Sequence, residues 1–314
     1  MRPARPATLA PRLTGCAFAL VLAGCARPPF APLAPAAFPF AVDSLRTQQV
    51  SDGVLHHFIY SRAGPWAIHV LDVRLDRCYS AVAVKGAPGA VGRAKTSDLM
   101  RGLARTRDVI GGVNADFFLF TPPGVPTGAH VSAGRVTTPP SDRPVFAIDS
   151  TGAPHIMVLS MRDSVMFAVD DPALARLSLR PFHPLEAVGG RPVLTRDSAI
   201  TVAVETEGQA SFATSRHPRT AVGIANDGHR LMLAVVDGRQ KPYSDGMTLR
   251  ELATLMLALG ARDALNLDGG GSTALVYADR DSARALRLAN HPSDPTGERA
   301  VGNALAIVRG CRVH

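Results

Sequence analysis

Thr248-Leu249-Arg250-Glu251-Leu252-Ala253-Thr254-Leu255-Met256-Leu257-Ala258-Leu259-Gly260 is followed, seven residues on, by Asp268-Gly269-Gly270-Gly271-Ser272-Thr273. Thr248 and Glu251 have the spacing of a reciprocal capping box. Leu249, Leu252, Ala253, Met256 and Leu259 recur on one helical face, and Gly260 stands where a left-handed residue closes a helix. The spacing predicts a helix over 248–259. Ala264 to Leu267 then reads as a short strand entering three glycines. Such a run weakens a strand, so it belongs where the backbone needs unusual dihedrals or close approach. Amides freed of side chains there can cradle an anion. No Gly-Lys-Ser/Thr follows, so this is not a Walker A loop, and a plain structural turn would use the same residues.

Outward from this segment the pattern is mostly strand. Residues 220–225 and 230–236 are apolar runs flanking Asn226-Asp227-Gly228, a tight hairpin turn because Asp-Gly tolerates positive φ. Residues 66–73 and 78–84 read as strands from their β-branched content. Residues 97–107 read as a helix with Ser97 as N-cap. Residues 109–120 begin as a buried strand and turn polar at Asn114 and Asp116, and the Gly- and Pro-rich stretch 121–145 predicts short hairpins. Many strands and few helices predict an α+β (mixed α/β) class: a mixed β-sheet core in a single catalytic domain.

The chain has 314 residues, is 46% hydrophobic and 19% charged, and carries a net charge of +8. This excludes wholesale disorder, and no apolar run is long enough for a mature transmembrane helix. Lys occurs only at positions 85, 95 and 241, so the positive charge is scattered Arg without a basic stripe, and no nucleic-acid partner is expected.

Residues 1–24 read as a lipoprotein signal peptide: Arg2, Arg5 and Arg12 without an acid, then a short apolar run from Leu13 to Ala23. Leu22-Ala23-Gly24-Cys25 resembles a bacterial lipobox. That resemblance implies lipidation at Cys25 and a membrane partner through the lipid anchor. It implies a place in the bacterial cell envelope, and Ala26, not Asp, after the cysteine leans by the same analogy towards the outer membrane, facing the periplasm. Residues 25–50, beginning with a Pro- and Ala-rich stretch, are expected to be a tether, and 51–314 the folded domain. Of the remaining cysteines, Cys78 and Cys311 form either one disulfide joining the ends of the domain or two buried thiols. No CxxC metal motif occurs.

Four segments can carry chemistry. The glycine loop follows Asp268. Ser215-Arg216-His217-Pro218-Arg219-Thr220 crowds two Arg, a His and hydroxyls before a strand; Arg grips phosphate bidentately and His moves protons near neutral pH. Asn114-Ala115-Asp116-Phe117-Phe118 sets a carboxylate beside an apolar wall, which raises its pKa. Val236-Asp237-Gly238-Arg239 ends another strand. The bland alternatives are a basic turn and solvated strand ends. His56, His57 and His69 read as surface or satisfied core residues, and neither HExxH nor a complete serine elbow is found.

In order, Gly112–Phe118, Gly189-Gly190-Arg191-Pro192-Val193-Leu194, His217–Gly223, Val236–Arg239, the capped helix, Asn266–Thr273, and Asn290-His291-Pro292-Ser293-Asp294 with Gly297–Val301 resemble the phosphodiester glycosidase family over about residues 75–310. Two positions depart from it: Asn-Ala-Asp stands where many relatives have Asn-Gly-Gly, and one Ser precedes Thr273 where many have two. The resemblance implies a hydrolase that cleaves a sugar 1-phosphodiester, of the GlcNAc type or in a phosphorylated exopolysaccharide, at the anomeric carbon. On that reading the catalytic candidates are Asp268, Asp116, Asp237 and His217, with Glu298 a further carboxylate. The substrate-binding candidates are Asn114, Arg191, Arg219, Thr220, Arg239, Gly269, Gly270, Gly271, Ser272, Thr273 and Arg299. No cofactor is required, although the carboxylates would also suit a divalent cation. The competing reading is a non-catalytic lipoprotein that binds phosphorylated envelope glycans, in which the carboxylates would be dispensable.

Overall fold

The computed structural model describes residue 1 and residues 33–141, 143–169, 179–206, 210–282 and 284–310. The leader, Cys25 and Cys311 lie outside the described residues.

The fold is strand-rich, with few helices. Two antiparallel sheets face each other. The first has eight strands, and its centre runs Trp66–Arg74, Arg230–Val236, Arg219–Ala225 and Ala261–Asn266. The second has five, with Leu275–Asp279, Asp108–Asn114 and Asn303–Arg309 in its middle. A seven-stranded sheet that includes Pro144–Ile148 and Glu186–Gly189 adds Phe146, Ile148 and Val188 to the same core.

Period-two alternation builds the layers. In Arg230–Val236, Leu231, Leu233 and Val235 enter the core between the sheets, whereas Met232, Ala234 and Val236 turn to the helical side. In Asn303–Arg309, Leu305 and Ile307 face the shared core, while Ala304, Ala306 and Val308 face the helix Thr96–Leu103. Both faces of these strands are buried, so they read as continuous apolar runs.

The helix Leu249–Ala258 has Thr248 as its N-cap with the full capping box, and Gly260 adopts φ +92°. Its Leu249, Leu252, Ala253 and Met256 cover the outer face of the eight-stranded sheet. The other helix is shorter than expected, Thr96–Leu103, and Ser97 does not cap it with its side chain. Instead the Ser97 amide donates to the Glu298 carboxylate (2.8 Å), so the cap comes from a distant loop and Glu298 is occupied at the helix terminus. The hairpin at 226–228 forms as expected, with Gly228 at φ +67°.

The fold also begins before residue 51. Phe38 is buried, Phe40 meets Trp66 edge-on at 4.9 Å, and Ser44–Ser51 is an edge strand. Phe38 and Phe40, at the end of the Pro/Ala-rich stretch, thus pack on the domain. Cys78 is disulfide-bonded, and the Gly310 amide donates to the Cys78 carbonyl. No helix among the described residues is long and apolar enough to cross a membrane.

Candidate active site

The site forms where strands of the two facing sheets end together. Asp116 lies two residues beyond Asp108–Asn114, and Asp268 two beyond Ala261–Asn266. The Asp268 amide donates to the Ala115 carbonyl (2.8 Å), and the Asn114 side-chain amide donates to the Asp268 carbonyl (2.6 Å). The two carboxylates therefore belong to different sheets, held together across the seam.

Asp116 is only 1% exposed. Its Oδ2 accepts the Gly128 amide (2.6 Å), and its own amide donates to Asn303 Oδ1. The slot around it needs glycine: a Cβ at Gly189 would lie 2.6 Å from Asp116 Oδ2. Burial, reinforced by the charge of Asp268, pushes the Asp116 carboxyl up to about 7. Asp268 is partly open, and its Oδ1 accepts the Gly269 amide (2.9 Å). Burial also raises its carboxyl, to about 6, against the opposing pull of the Ser272 hydroxyl, the Gly269 amide and Arg299. Asp268 thus ionises first, and its charge helps Asp116 keep a proton.

Each loop glycine sits where a side chain would be resisted, Gly269 most firmly because it faces backbone. A Cβ at Gly269 would sit 2.5 Å from the Pro218 carbonyl oxygen, Gly270 has φ +63°, and a Cβ at Gly271 would strike the Asp294–Arg299 pair. The loop is not an open anion cradle, however. It folds into a 3-10 turn at Gly270–Ser272, and the amides of Gly269, Gly270, Ser272 and Thr273 all donate within the protein. Ser272 and Thr273 are buried, and neither hydroxyl has a hydrogen-bond partner among the described residues.

The arginines divide sharply. Arg219 shares strand parity with Ala221 and Ala225, which face the helices, so it turns away from the seam. Its guanidinium donates to the carbonyls of Met247, Phe212 and Ser215 and stacks on Phe212, which makes it a buried brace and not a phosphate grip. Arg299 lies against the loop but is held by Asp294 (2.8 and 3.0 Å). Arg191 sits over the Phe117 ring, next to Asp116. Arg239 is the exposed one: its guanidinium lies over Gly270 and meets His217 Nδ1 at 3.2 Å. Burial and the neighbouring Arg219 and Arg239 hold His217 below its ordinary pKa, so it is neutral at pH 7 and its Nδ1 accepts from Arg239.

Three other expectations change. Asn114 and Thr220 spend their polar side-chain atoms within the protein: the Thr220 hydroxyl donates to Asn114 Oδ1 (2.8 Å), which also accepts the Ala274 amide. Asp237 is saturated by Asn290, the His291 amide and the Tyr243 hydroxyl, all at 3.0–3.1 Å. It organises the loop at 290–291. The residues that sequence reasoning missed are Gly128, Thr127, Arg143 and Asn303, which surround Asp116. They come from separate loops and a distant strand, and only Gly128, beside Thr127 in a turn-rich stretch, gave a local signal. Among the described residues no group of three or more His, Cys, Asp or Glu side chains could hold a metal ion.

Two carboxyls of differing acidity beside a glycine turn and an exposed arginine can assist an acid–base bond cleavage near an anion. The phosphodiester glycosidase family model matches residues 107–308, and the chain belongs to that family. The fold resembles a hypothetical protein from Synechocystis (TM-score 0.61, 17% identity, covering 85% of this chain and 64% of that one). It also resembles the catalytic domain of zebrafish N-acetylglucosamine-1-phosphodiester alpha-N-acetylglucosaminidase, auto-inhibited by its pro-peptide (TM-score 0.60, 23% identity, covering 86% and 85%). An uncharacterized SPbeta prophage-derived protein of Bacillus subtilis, YomE, is 38% identical over 92 residues. That match spans 29% of this chain and 13% of YomE.

Proposed function

We propose that this protein hydrolyses a sugar 1-phosphodiester at the anomeric carbon. Water adds its hydroxyl to that carbon, the carbon–oxygen bond to phosphate breaks, and the remaining proton leaves with the phosphomonoester or the solvent. Phosphate is already a stable leaving anion, so the protein's main task is to stabilise charge. The observation that carries the reading is the pairing of Asp268 and Asp116 across the seam, tied by the Asp268 amide to the Ala115 carbonyl (2.8 Å), with burial raising both carboxyls, to about 6 and about 7. Between those values one is a carboxylate and the other an acid, the combination that glycoside hydrolysis by paired carboxyls uses. Asp268 faces the reacting carbon or its water, Asp116 holds the second proton, and Arg239 with His217 receives the phosphate. A phosphorylated envelope glycan or exopolysaccharide would fit this chemistry. The Leu22–Cys25 motif supports lipidation at Cys25 and an outer-membrane, periplasm-facing location. Palmitate incorporation that Cys25→Ser abolishes would test that location.

The deciding experiment is turnover of a GlcNAc 1-phosphodiester in heavy-oxygen water. Wild type is expected to release sugar bearing the label, and Asp268→Asn to lose turnover. Label in the phosphate, or no turnover across a broad diester panel while glycan binding persists, overturns the proposal.

A further inference from the structure

A cavity of about 790 Å³ opens between the edges of the two facing sheets, and neither Asp116, Asp268 nor the glycine loop lines it. Its size falls within the roughly 300–1,000 Å³ range of small-molecule sites. Its floor comes directly from strand register. Arg46, Phe58 and His69 are cross-strand partners in one row of Ser44–Ser51, Val54–Ser61 and Trp66–Arg74, and Gln48 and His56 are partners in the next row. Along the same strand face, Val54, Leu71 and Val73 belong to the apolar core. The rows change from aliphatic to aromatic and polar where the five-stranded sheet parts from them.

The rings form a continuous run. Tyr277 stacks on His56 (4.4 Å), His56 lies parallel to His69 (5.4 Å), and Phe58 meets His69 (4.9 Å). Burial holds His56 near 4 and His69 near 3, so both rings are neutral at pH 7. His69 Nδ1 is bonded to His56 Nε2 (3.2 Å), which leaves buried His69 Nε2 with no partner among the described residues. Arg46 lies over the Phe58 ring at 4.8 Å. Unlike Arg287 on the far wall, which pairs with Asp279, Arg46 has no carboxylate partner among the described residues. The Tyr243 hydroxyl on the inner wall donates to Asp237.

We propose that this cavity is a second saccharide site, separate from the Asp116–Asp268 centre, for a sugar ring carrying one anionic group. A pyranose presents a C–H face that complements the electron-rich face of an aromatic ring, and Arg46 supplies the single positive charge of the lining without a carboxylate partner among the described residues. An apolar ligand would cover that guanidinium without pairing it, and a neutral sugar would leave the charge unused. The anion is a uronate or a phosphate, which the test separates.

Calorimetric titration of the full chain with glucuronic acid, glucose 6-phosphate and glucose tests the proposal. One of the two acids is expected to bind at least tenfold more tightly than glucose. Arg46→Gln should reduce that acid to the affinity of glucose, Phe58→Ala should weaken all three sugars, and Asp268→Asn should leave their binding unchanged. Circular dichroism and melting temperature check that each variant folds. Absence of binding by both acids overturns the proposal, as does equal affinity for acid and glucose. So does acid binding that survives Arg46→Gln but disappears in Asp268→Asn, which places the ligand at the catalytic pair.

Discussion

Asp268 and Asp237 both follow strands at the same end of the eight-stranded sheet, and burial raises the pKa of both carboxyls. Their surroundings differ. Asp237 is fully buried, and Asn290, His291 and Tyr243 occupy its oxygens. Asp268 is partly open, keeps one local amide, and faces Asp116 across the seam. A raised pKa is therefore common to a carboxylate that holds a loop and one able to do chemistry. Unused hydrogen-bonding capacity on a partly exposed side chain separates them.

Substitution at the two aspartates should widen the contrast. Asp268→Asn is expected to lower kcat by about a thousandfold, within the range for a positioned acid–base group, while the melting temperature changes little. The same change at Asp237 should lower turnover less than tenfold and instead destabilise the fold by about 1–3 kcal/mol, read by denaturant melting, because three donors lose a charged acceptor. Equal losses of activity at both sites would erase the distinction.

The arginines offer the next test. Arg239→Ala should cost about a hundredfold in kcat/KM on phosphodiesters, the scale of one donor lost from a charge-stabilising site. Arg219→Ala should leave little soluble protein, since three carbonyls lose their buried donor.

The pH dependence sharpens the comparison further. The rate should peak between about pH 6 and 7, falling about tenfold per unit below as Asp268 protonates and above as Asp116 ionises. Stability has a related signature. The folded state keeps Asp116 protonated to about pH 7, whereas the unfolded chain releases that proton in the ordinary carboxylate range. Its contribution is therefore full at low pH and is lost as pH rises through 7. Asp116→Asn should raise the melting temperature at pH 8 while impairing turnover. The smallest effect is expected at the helix cap, where Thr248→Ala should cost about 1 kcal/mol of stability and leave kcat unchanged.

Much of this was legible along the chain. The Thr248–Glu251 box, Gly260, the Asp-Gly turn and the run of apolar strands are local signals, and the structure uses each as read. Asp116 and Asp268 were legible because each follows a buried strand. Which arginine faces the site was not legible in Ser215–Thr220, because strand parity decides it. Arg219 turns towards the helices and Thr220 towards the seam, and a run of polar residues conceals that alternation. The extent of the amino-terminal tether was also misread, since Phe38 and Phe40 find partners only in the folded domain. The surroundings of Asp116 needed Gly128, Arg143 and Asn303 from three distant places, and no local pattern links them.

The backbone link from Asp268 to Ala115, with the Asn114 amide beside it, gives the two sheets a further part to play. Each sheet contributes one half of the acid–base couple, so the spacing of the couple records how the layers are aligned. A slide of one layer against the other, too slight to unpair any strand, would detune the chemistry first. On gentle heating, catalysis should fade while the circular dichroism of the strands is still intact.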